Sequence, residues 1–337
     1  MSNTTESYNS SKSDFTSTTA DITNRESVIC GGIAGLVSRF WVAPMDVVKI
    51  RQQLQISPYV KAGTSLPPKP VYNGMVSSMI KIYREEGLTS LWKGNLPAEL
   101  LYVIYGALQF TALHQTNMLF TTYAPDIVSP SVQYFISGAV SGAAATTVTY
   151  PLDLLRTRFA AQGSTPAQTV YPSLRSSIRQ IYVDEGISGF FQGLRPALSQ
   201  IAPYMGLFFA SYSIIKTGVE SAADNFDIRT FGSVEAIAGM IAGVISKTGV
   251  FPLDVIRKRM QIQGPTRSSY ILKDIPTYPK SVTRSAIKIF AHEGVRGLYR
   301  GLWVSLLKAA PTSAITMWTF EHSVHAIRWL DSSVESF

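Results

Sequence analysis

A chain of 337 residues in which 46% are hydrophobic and only 15% charged falls well below the roughly 25% charge of soluble domains, which argues for lipid and against a freely soluble enzyme. The net charge of +8 leaves nucleic acid, anionic lipid or an anionic solute open as partners until its distribution is known. The single cysteine, Cys30, excludes an intrachain disulfide and any CxxC metal or redox site and is expected as a small buried apolar residue.

Residues 1–25 are rich in Ser, Thr and Asn and carry Glu6, Asp14 and Asp21, so they fit neither a secretory signal nor an acid-poor transit peptide; a disordered tail is expected. Six apolar stretches follow, at 28–56, 94–120, 131–161, 194–218, 233–262 and 302–329, each long enough for a tilted or kinked span. Gly, Pro, Ser and scattered charges interrupt them, as a bundle around a polar cavity requires. Between the members of each pair, 73–85, 172–184 and 279–292 read as short amphipathic helices ended by Gly. The insert at 56–71, with Pro67, Pro68 and Pro70, is expected as a loop.

Internal repeats organise the whole chain. Pro44-Met45-Asp46-Val47-Val48-Lys49-Ile50-Arg51 returns as Pro151-Leu152-Asp153-Leu154-Leu155-Arg156-Thr157-Arg158 and as Pro252-Leu253-Asp254-Val255-Ile256-Arg257-Lys258-Arg259. Upstream stand two glycines four apart, Gly31 and Gly35, Gly138 and Gly142, Gly239 and Gly243, a spacing that lets membrane helices approach closely. Downstream, Glu86-Gly87 leads to Trp92-Lys93-Gly94, Glu185-Gly186 to Phe191-Gln192-Gly193, and Glu293-Gly294 to Tyr299-Arg300-Gly301. The expected units are a tail (1–25) and repeats at 26–125, 126–228 and 229–337, the last with a short C-terminal tail.

This compound pattern, in phase three times, resembles the mitochondrial carrier family over nearly the whole chain. The resemblance implies an all-α membrane protein: six tilted transmembrane helices in three pseudo-threefold tandem repeats, each with a short matrix-side helix. It also implies a carrier working by alternating access in the mitochondrial inner membrane, with no cofactor, metal or catalytic residue. The loops within pairs carry Lys81, Arg84, Arg175, Arg179, Arg267, Lys273, Arg284 and Arg296, while those between pairs carry Asp126, Glu220, Asp224, Asp227 and only Arg229. Positive loops favour the negative side of an energised membrane, so both termini are expected on the intermembrane-space side. Topology then accounts for the basic balance, and no nucleic-acid role is expected. Inner-membrane lipid, including cardiolipin at the matrix helices, and a monomeric state complete the expected partners. None of His114, His292, His322 and His325 joins a metal-spacing or Ser/His/Asp arrangement, so an enzyme is disfavoured.

Pro44, Pro151 and Pro252 each remove a helix hydrogen bond and are expected to kink the odd-numbered helices inward. The acid two residues later and the base five residues later lie near one face and need partners at low dielectric. Around a threefold ring the partners are Asp46 with Arg156, Asp153 with Arg257, and Asp254 with Lys49, which makes a gate on the matrix side. Gln53 and Gln261 stand one turn further and can brace a pair; Ala160 holds that place in repeat two. The aligned cytosolic positions read His114 and Asn117, Ser213 and Lys216, Glu321 and Val324. They depart from the family, which has an acid and a base there, so only weak contacts are expected, His114 with Lys216 and Asn117 with Glu321. A carrier resting open to the cytosol is the expected consequence.

The resemblance also implies substrate contact points, carried over by repeat phase: Leu101 and Tyr102, Gln200 and Ile201, Lys308 and Ala309 on the even helices, with Arg39, Thr146 and Lys247 five residues before the prolines. Arg39, Lys247 and Lys308 would bring three cations to one cavity with no acid at the same motif positions, and buried cations of this kind call for an anion. The alternative is that they snorkel or pair with Glu99 or Glu235. Tyr102, Tyr105, Gln109, Gln200, Tyr204 and Trp318 suit a flat heteroaromatic ring, though packing or lipid contact explains each one singly. The stretches around Ser38-Arg39, Leu155–Gly163, Ile245–Thr248, Leu306–Ala310 and Pro97–Ala107 narrow the resemblance. The substrate they imply is thiamine pyrophosphate, exchanged for another phosphorylated compound; a nucleotide, deoxynucleotide or coenzyme A is the alternative.

Overall fold

The computed structural model describes residues 24–56, 71–123, 129–166, 168–226, 233–272 and 275–335. The expected N-terminal tail up to residue 23, residues 57–70 of the insert, and Asp126, Asp227, Arg229 and Lys273 lie outside the described residues. Among the described residues every regular element is helical.

Six helices are long: α1 (Asn24–Leu54), α3 (Asn95–Tyr123), α4 (Pro130–Ala161), α7 (Ile201–Phe226), α8 (Ser233–Gln261) and α11 (Ala309–Glu335). Between them stand α2 (Met75–Glu86), α5 (Leu174–Gly189) and α9 (Val282–Leu298), together with the one-turn helices α6 (Leu194–Ser199) and α10 (Leu302–Leu307). Two long pieces each of repeats one, two and three thus flank one amphipathic connector. Four segments, Glu26–Leu54, Leu88–Tyr123, Leu194–Glu220 and Val234–Gln261, are long and apolar enough to cross a membrane by composition alone. Helices α4 and α11 are as long but fall outside that measure of continuous apolar length.

Each connector is broken at the glycine of its Glu-Gly pair, where Gly87, Gly186 and Gly294 take positive φ of 85°, 67° and 65°. A residue with a Cβ resists that region, so the chain turns there and makes a short further turn before its next helix, which starts at Asn95, Leu194 or Leu302. Helix α3 then runs unbroken, whereas the two later even helices are interrupted after Ser199 and after Leu307. Prolines explain the difference. Pro203 and Pro311 offer no N–H to the carbonyls four residues back, Ser199 and Leu307, while repeat one has Ile104 at that place.

The chain divides into two compact units. The larger, 43–308, is built on the C-terminal ends of the odd helices and the connectors: Val48, Leu54, Ile82, Leu154, Leu155, Ile181, Ile262 and Val304 form its core. Within it α3 lies along α4 and α7 along α8. Val132, Ile136, Val140 and Val148 of α4 face outward, all exposed; such a stripe at helical spacing is tolerated by lipid and costly in water. The smaller unit, 1–42 with 309–337, pairs the first half of α1 with α11. Cys30 and Ala34 are fully buried there, and the Ser38 hydroxyl donates to the Thr312 carbonyl at 3.0 Å.

The paired glycines of repeat two serve close packing. A Cβ on Gly138 would meet Met205 at 3.1 Å, and one on Gly142 would touch Ile201 and Tyr105 at 3.9 Å. At Gly31, Gly239 and Gly243 it would meet nothing within 4 Å, so the spacing reports helix phase there rather than contact.

Candidate functional site

Helices α1, α4 and α8 continue through Pro44, Pro151 and Pro252 and bring their acids and bases together in the larger unit. Arg156 meets Asp46 at 2.5 Å, Arg257 meets Asp153 at 2.9 Å, and Lys49 meets Asp254 at 2.7 Å. Residues about a hundred or two hundred positions apart thus close a ring, each acid with the base of another repeat. The three carboxylates are 9%, 5% and 5% exposed, so each pair is made under low dielectric, where losing one partner costs about 3–5 kcal/mol. Gln53 donates to Asp254 at 3.1 Å, and Gln261 donates to Asp153. Ala160 supplies no amide, and the third pair has no such brace at that position.

Each acid holds a second cation as well. Lys308 donates to Asp46 at 2.5 Å, Lys247 lies 3.8 Å from Asp254, and Lys258 bonds both oxygens of Asp153 at 3.1 and 3.0 Å. This corrects the expectation that Lys247 and Lys308 stand without an acid. They reach the ring carboxylates because contact positions and ring lie within one side-chain length. Lys258, six past Pro252, was missed by sequence reasoning; its counterparts Ile50 and Thr157 carry no charge, so the repeat offered no signal.

The remaining contact positions are half-buried. Leu101, Tyr102, Tyr105 and Gln109 follow one face of α3, Thr146 sits on α4, and Gln200 and Ile201 straddle the Ser199 break. The Gln200 side-chain amide oxygen (Oε1) is buried and accepts no hydrogen bond. Tyr204 stacks on Phe208 with ring centroids 6.4 Å apart. Half-buried Arg39, with Ala309 and Trp318, belongs to the smaller unit. Trp318 is 59% exposed and rests on His322 of its own helix, centroids 4.2 Å apart.

At the far end, Lys216 lies 3.7 Å from Glu220 and 3.6 Å from Glu235. That corrects the expected contact with His114: two carboxylates attract the ammonium where an imidazole offers none. His114 and Ser213 are exposed, and the Asn117 side-chain amide oxygen (Oδ1) is buried without a hydrogen bond. Glu321 is half-buried on α11 in the smaller unit.

Below the ring the structure repeats a second device that was not singled out from the sequence. Arg51, Arg158 and Arg259, seven past each proline, are almost wholly buried and paired with Glu86, Glu185 and Glu293 of the Glu-Gly motifs. Each also donates to a tyrosine hydroxyl of its own repeat, Tyr72, Tyr171 or Tyr278, at 3.0–3.1 Å. Two further bonds go to carbonyls of the next repeat, Ala160 and Gln162, Gln261 and Gln263, Gln53 and Gln55. Those glutamine side chains clamp the loop backbone in turn: Gln55 on Tyr72, Gln162 on Tyr171, Gln263 on Tyr278. The signal was present, since both the Arg and the Glu recur in all three motifs. Burial alone would raise the Glu86 carboxyl, but the hydrogen bonds and charge of Arg51 hold it below the ordinary value.

A threefold cassette of this kind, wrapped around a proline-borne ring of ion pairs, defines a three-repeat helical carrier, and the chain belongs to the mitochondrial carrier protein family, whose model matches residues 21–124, 128–222 and 231–329. Among curated relatives, the chain is 52% identical over 314 residues to mitochondrial thiamine pyrophosphate carrier 1 of Aspergillus oryzae, covering 93% of this chain and 96% of that protein. It is 54% identical to the protein of that name from Neosartorya fischeri over 303 residues (90% and 93%), and 52% identical to that of Aspergillus terreus over 314 residues (93% and 95%).

Proposed function

We propose that this carrier moves thiamine pyrophosphate by alternating access across the mitochondrial inner membrane, in exchange for another phosphorylated compound, with both termini on the intermembrane-space side. The observation that carries the mechanism is the seating of Lys308 on Asp46 and Lys247 on Asp254. A diphosphate is a better partner for an ammonium than a carboxylate already shared with a second cation, because it brings more charge and more acceptor oxygens. On binding it draws Lys308 and Lys247 away, and leaves Asp46 with Arg156 and Asp254 with Lys49 and its Gln53 brace. Binding energy is thereby spent on loosening the matrix gate, and the modest net strength of buried ion pairs lets it part.

Arg39 is a third basic contact in this reading, with Leu101, Thr146 and Ile201 as neutral contact points. Tyr102, Tyr105 and Gln109 present ring faces and an amide to the pyrimidine and thiazolium. The unsatisfied Gln200 oxygen offers an acceptor to the substrate's amino group, since a buried polar atom without a partner is costly until a ligand meets it. His114, Asn117, Ser213, Lys216 and Glu321 make a weak cytosolic gate. The names of the relatives favour thiamine pyrophosphate over a nucleotide, deoxynucleotide or coenzyme A. A monomer made of repeats 26–125, 126–228 and 229–337, holding cardiolipin at its matrix helices, needing no cofactor and doing no catalysis, completes the proposal.

Liposomes containing the pure protein and loaded with thiamine pyrophosphate are expected to take up labelled thiamine pyrophosphate saturably, with nucleotides and coenzyme A competing poorly. Lys308→Ala and Arg39→Ala should abolish exchange while thermal unfolding stays cooperative. Near-normal exchange in either variant would remove the binding model.

A further inference from the structure

Every carboxylate of the ring carries two cations, but the second one does not come from equivalent places. At Asp46 it is Lys308 and at Asp254 it is Lys247, with side chains 25% and 33% exposed. By threefold equivalence the second cation of Asp153 would come from position 101 or 146, and these are Leu101 and Thr146. Its place is taken by Lys258, whose side chain is 7% exposed. Four acceptors hold that ammonium: both Asp153 oxygens, the Thr157 hydroxyl at 2.9 Å and the Gln261 side-chain amide oxygen at 3.1 Å.

We propose that Lys258 is a positioning residue that makes the Asp153–Arg257 latch insensitive to substrate, so that the ring opens first at Asp46 and Asp254 and last at Asp153. This rests on the reading of Lys308 and Lys247 as substrate-binding groups. An anion that takes those two lysines removes one of two cations from Asp46 and from Asp254 and none from Asp153. To take Lys258 it would have to replace four acceptors gathered around the three N–H donors of a buried ammonium, whereas Lys308 and Lys247 leave a ring carboxylate from side chains that already face partly outward. The last latch to open sets how rarely the empty carrier opens, and hence how tightly transport is tied to exchange.

The test compares wild type, Lys258→Met and Lys258→Arg in liposomes loaded with labelled thiamine pyrophosphate, measuring exchange and also efflux into buffer without counter-substrate. Losing one charged hydrogen-bond set should raise unaccompanied efflux about tenfold in Lys258→Met while exchange persists, and Lys258→Arg should return efflux towards wild type. An unchanged ratio of efflux to exchange in Lys258→Met overturns the proposal. A second arm uses no substrate: Thr157→Cys with Gln261→Cys, in a Cys30→Ser background, is treated with a short bifunctional thiol reagent, with and without Lys258→Met. Cross-linking should fall when Lys258 is replaced, and equal cross-linking overturns the proposal. Should the wild type exchange no thiamine pyrophosphate, the functional reading fails by itself, and this arm still decides whether Lys258 holds the latch.

Discussion

The guanidinium of Arg158 meets two carboxylate oxygens of Glu185, the Tyr171 hydroxyl, and the carbonyls of Gln261 and Gln263. Only a planar fork can serve acceptors in those directions, and a lysine ammonium on the same stem cannot. Arg158→Lys is therefore expected to keep the charge yet lower stability by about 2–3 kcal/mol, read as a fall in the thermal unfolding midpoint of detergent-purified protein. The equivalent Glu86 carboxyl is held below its ordinary value by Arg51, which sets the sign of its pH dependence. Its contribution is fully present above the unfolded value of about 4.3 and is lost only as pH falls through the lower folded value. The difference in unfolding midpoint between wild type and Glu86→Gln should accordingly stay constant from pH 6 to pH 8, and a slope across that range would contradict the assignment. Gly193 shows a tighter limit: at φ +84° a Cβ would lie 2.7 Å from the Tyr150 hydroxyl and 2.9 Å from the Arg257 carbonyl. Gly94 meets the Arg156 carbonyl as closely, at 2.6 Å, while at Gly301 the Gln53 side chain and the Lys49 carbonyl lie at 3.2 and 3.4 Å; all three glycines share a positive φ of 82–84°.

Among the elements, the even helices differ by one residue type at one place. Pro203 leaves the Ser199 carbonyl without its helical donor, and the chain breaks just before the contact pair Gln200 and Ile201. Pro203→Ala should heal the helix and raise thermal stability, because an interior proline costs about 3 kcal/mol. Gln200 already holds right-handed helical angles, φ −85° and ψ −17°, so the substitution should leave the contact pair in place. A variant with unchanged stability would show that the break is not proline-made. These helices were legible from apolar length, and their connectors from Gly-ended amphipathic runs. The breaks were not read, because a proline three residues past a contact position has no effect on hydropathy and reveals itself only in the hydrogen bond it withholds.

For the molecule as a whole, the ring makes the three repeats interdependent. Asp153→Arg or Arg257→Asp alone should impair exchange, since either leaves like charges or an uncompensated charge in a buried site. The double swap should restore part of it, and the structure shows why only part: the new arginine at position 153 would sit beside Lys258, now 3.0 Å from that carboxylate. Adding Lys258→Met to the swap should therefore improve exchange, and no rescue in either background would count against the pairing.

Sequence alone determined the three repeats, the helical class, the register of acid and base after each proline, and the partner of each acid, because threefold repetition converts spacing along the chain into neighbours around a ring. Only the tertiary structure decided that Lys308 and Lys247 rest on ring carboxylates, that Lys258 takes the vacant place at Asp153, and that Lys216 turns to Glu220 and Glu235. These contacts depend on how far a flexible side chain reaches across packed helices, a distance that no repeat encodes, and they occur where the three repeats cease to be alike.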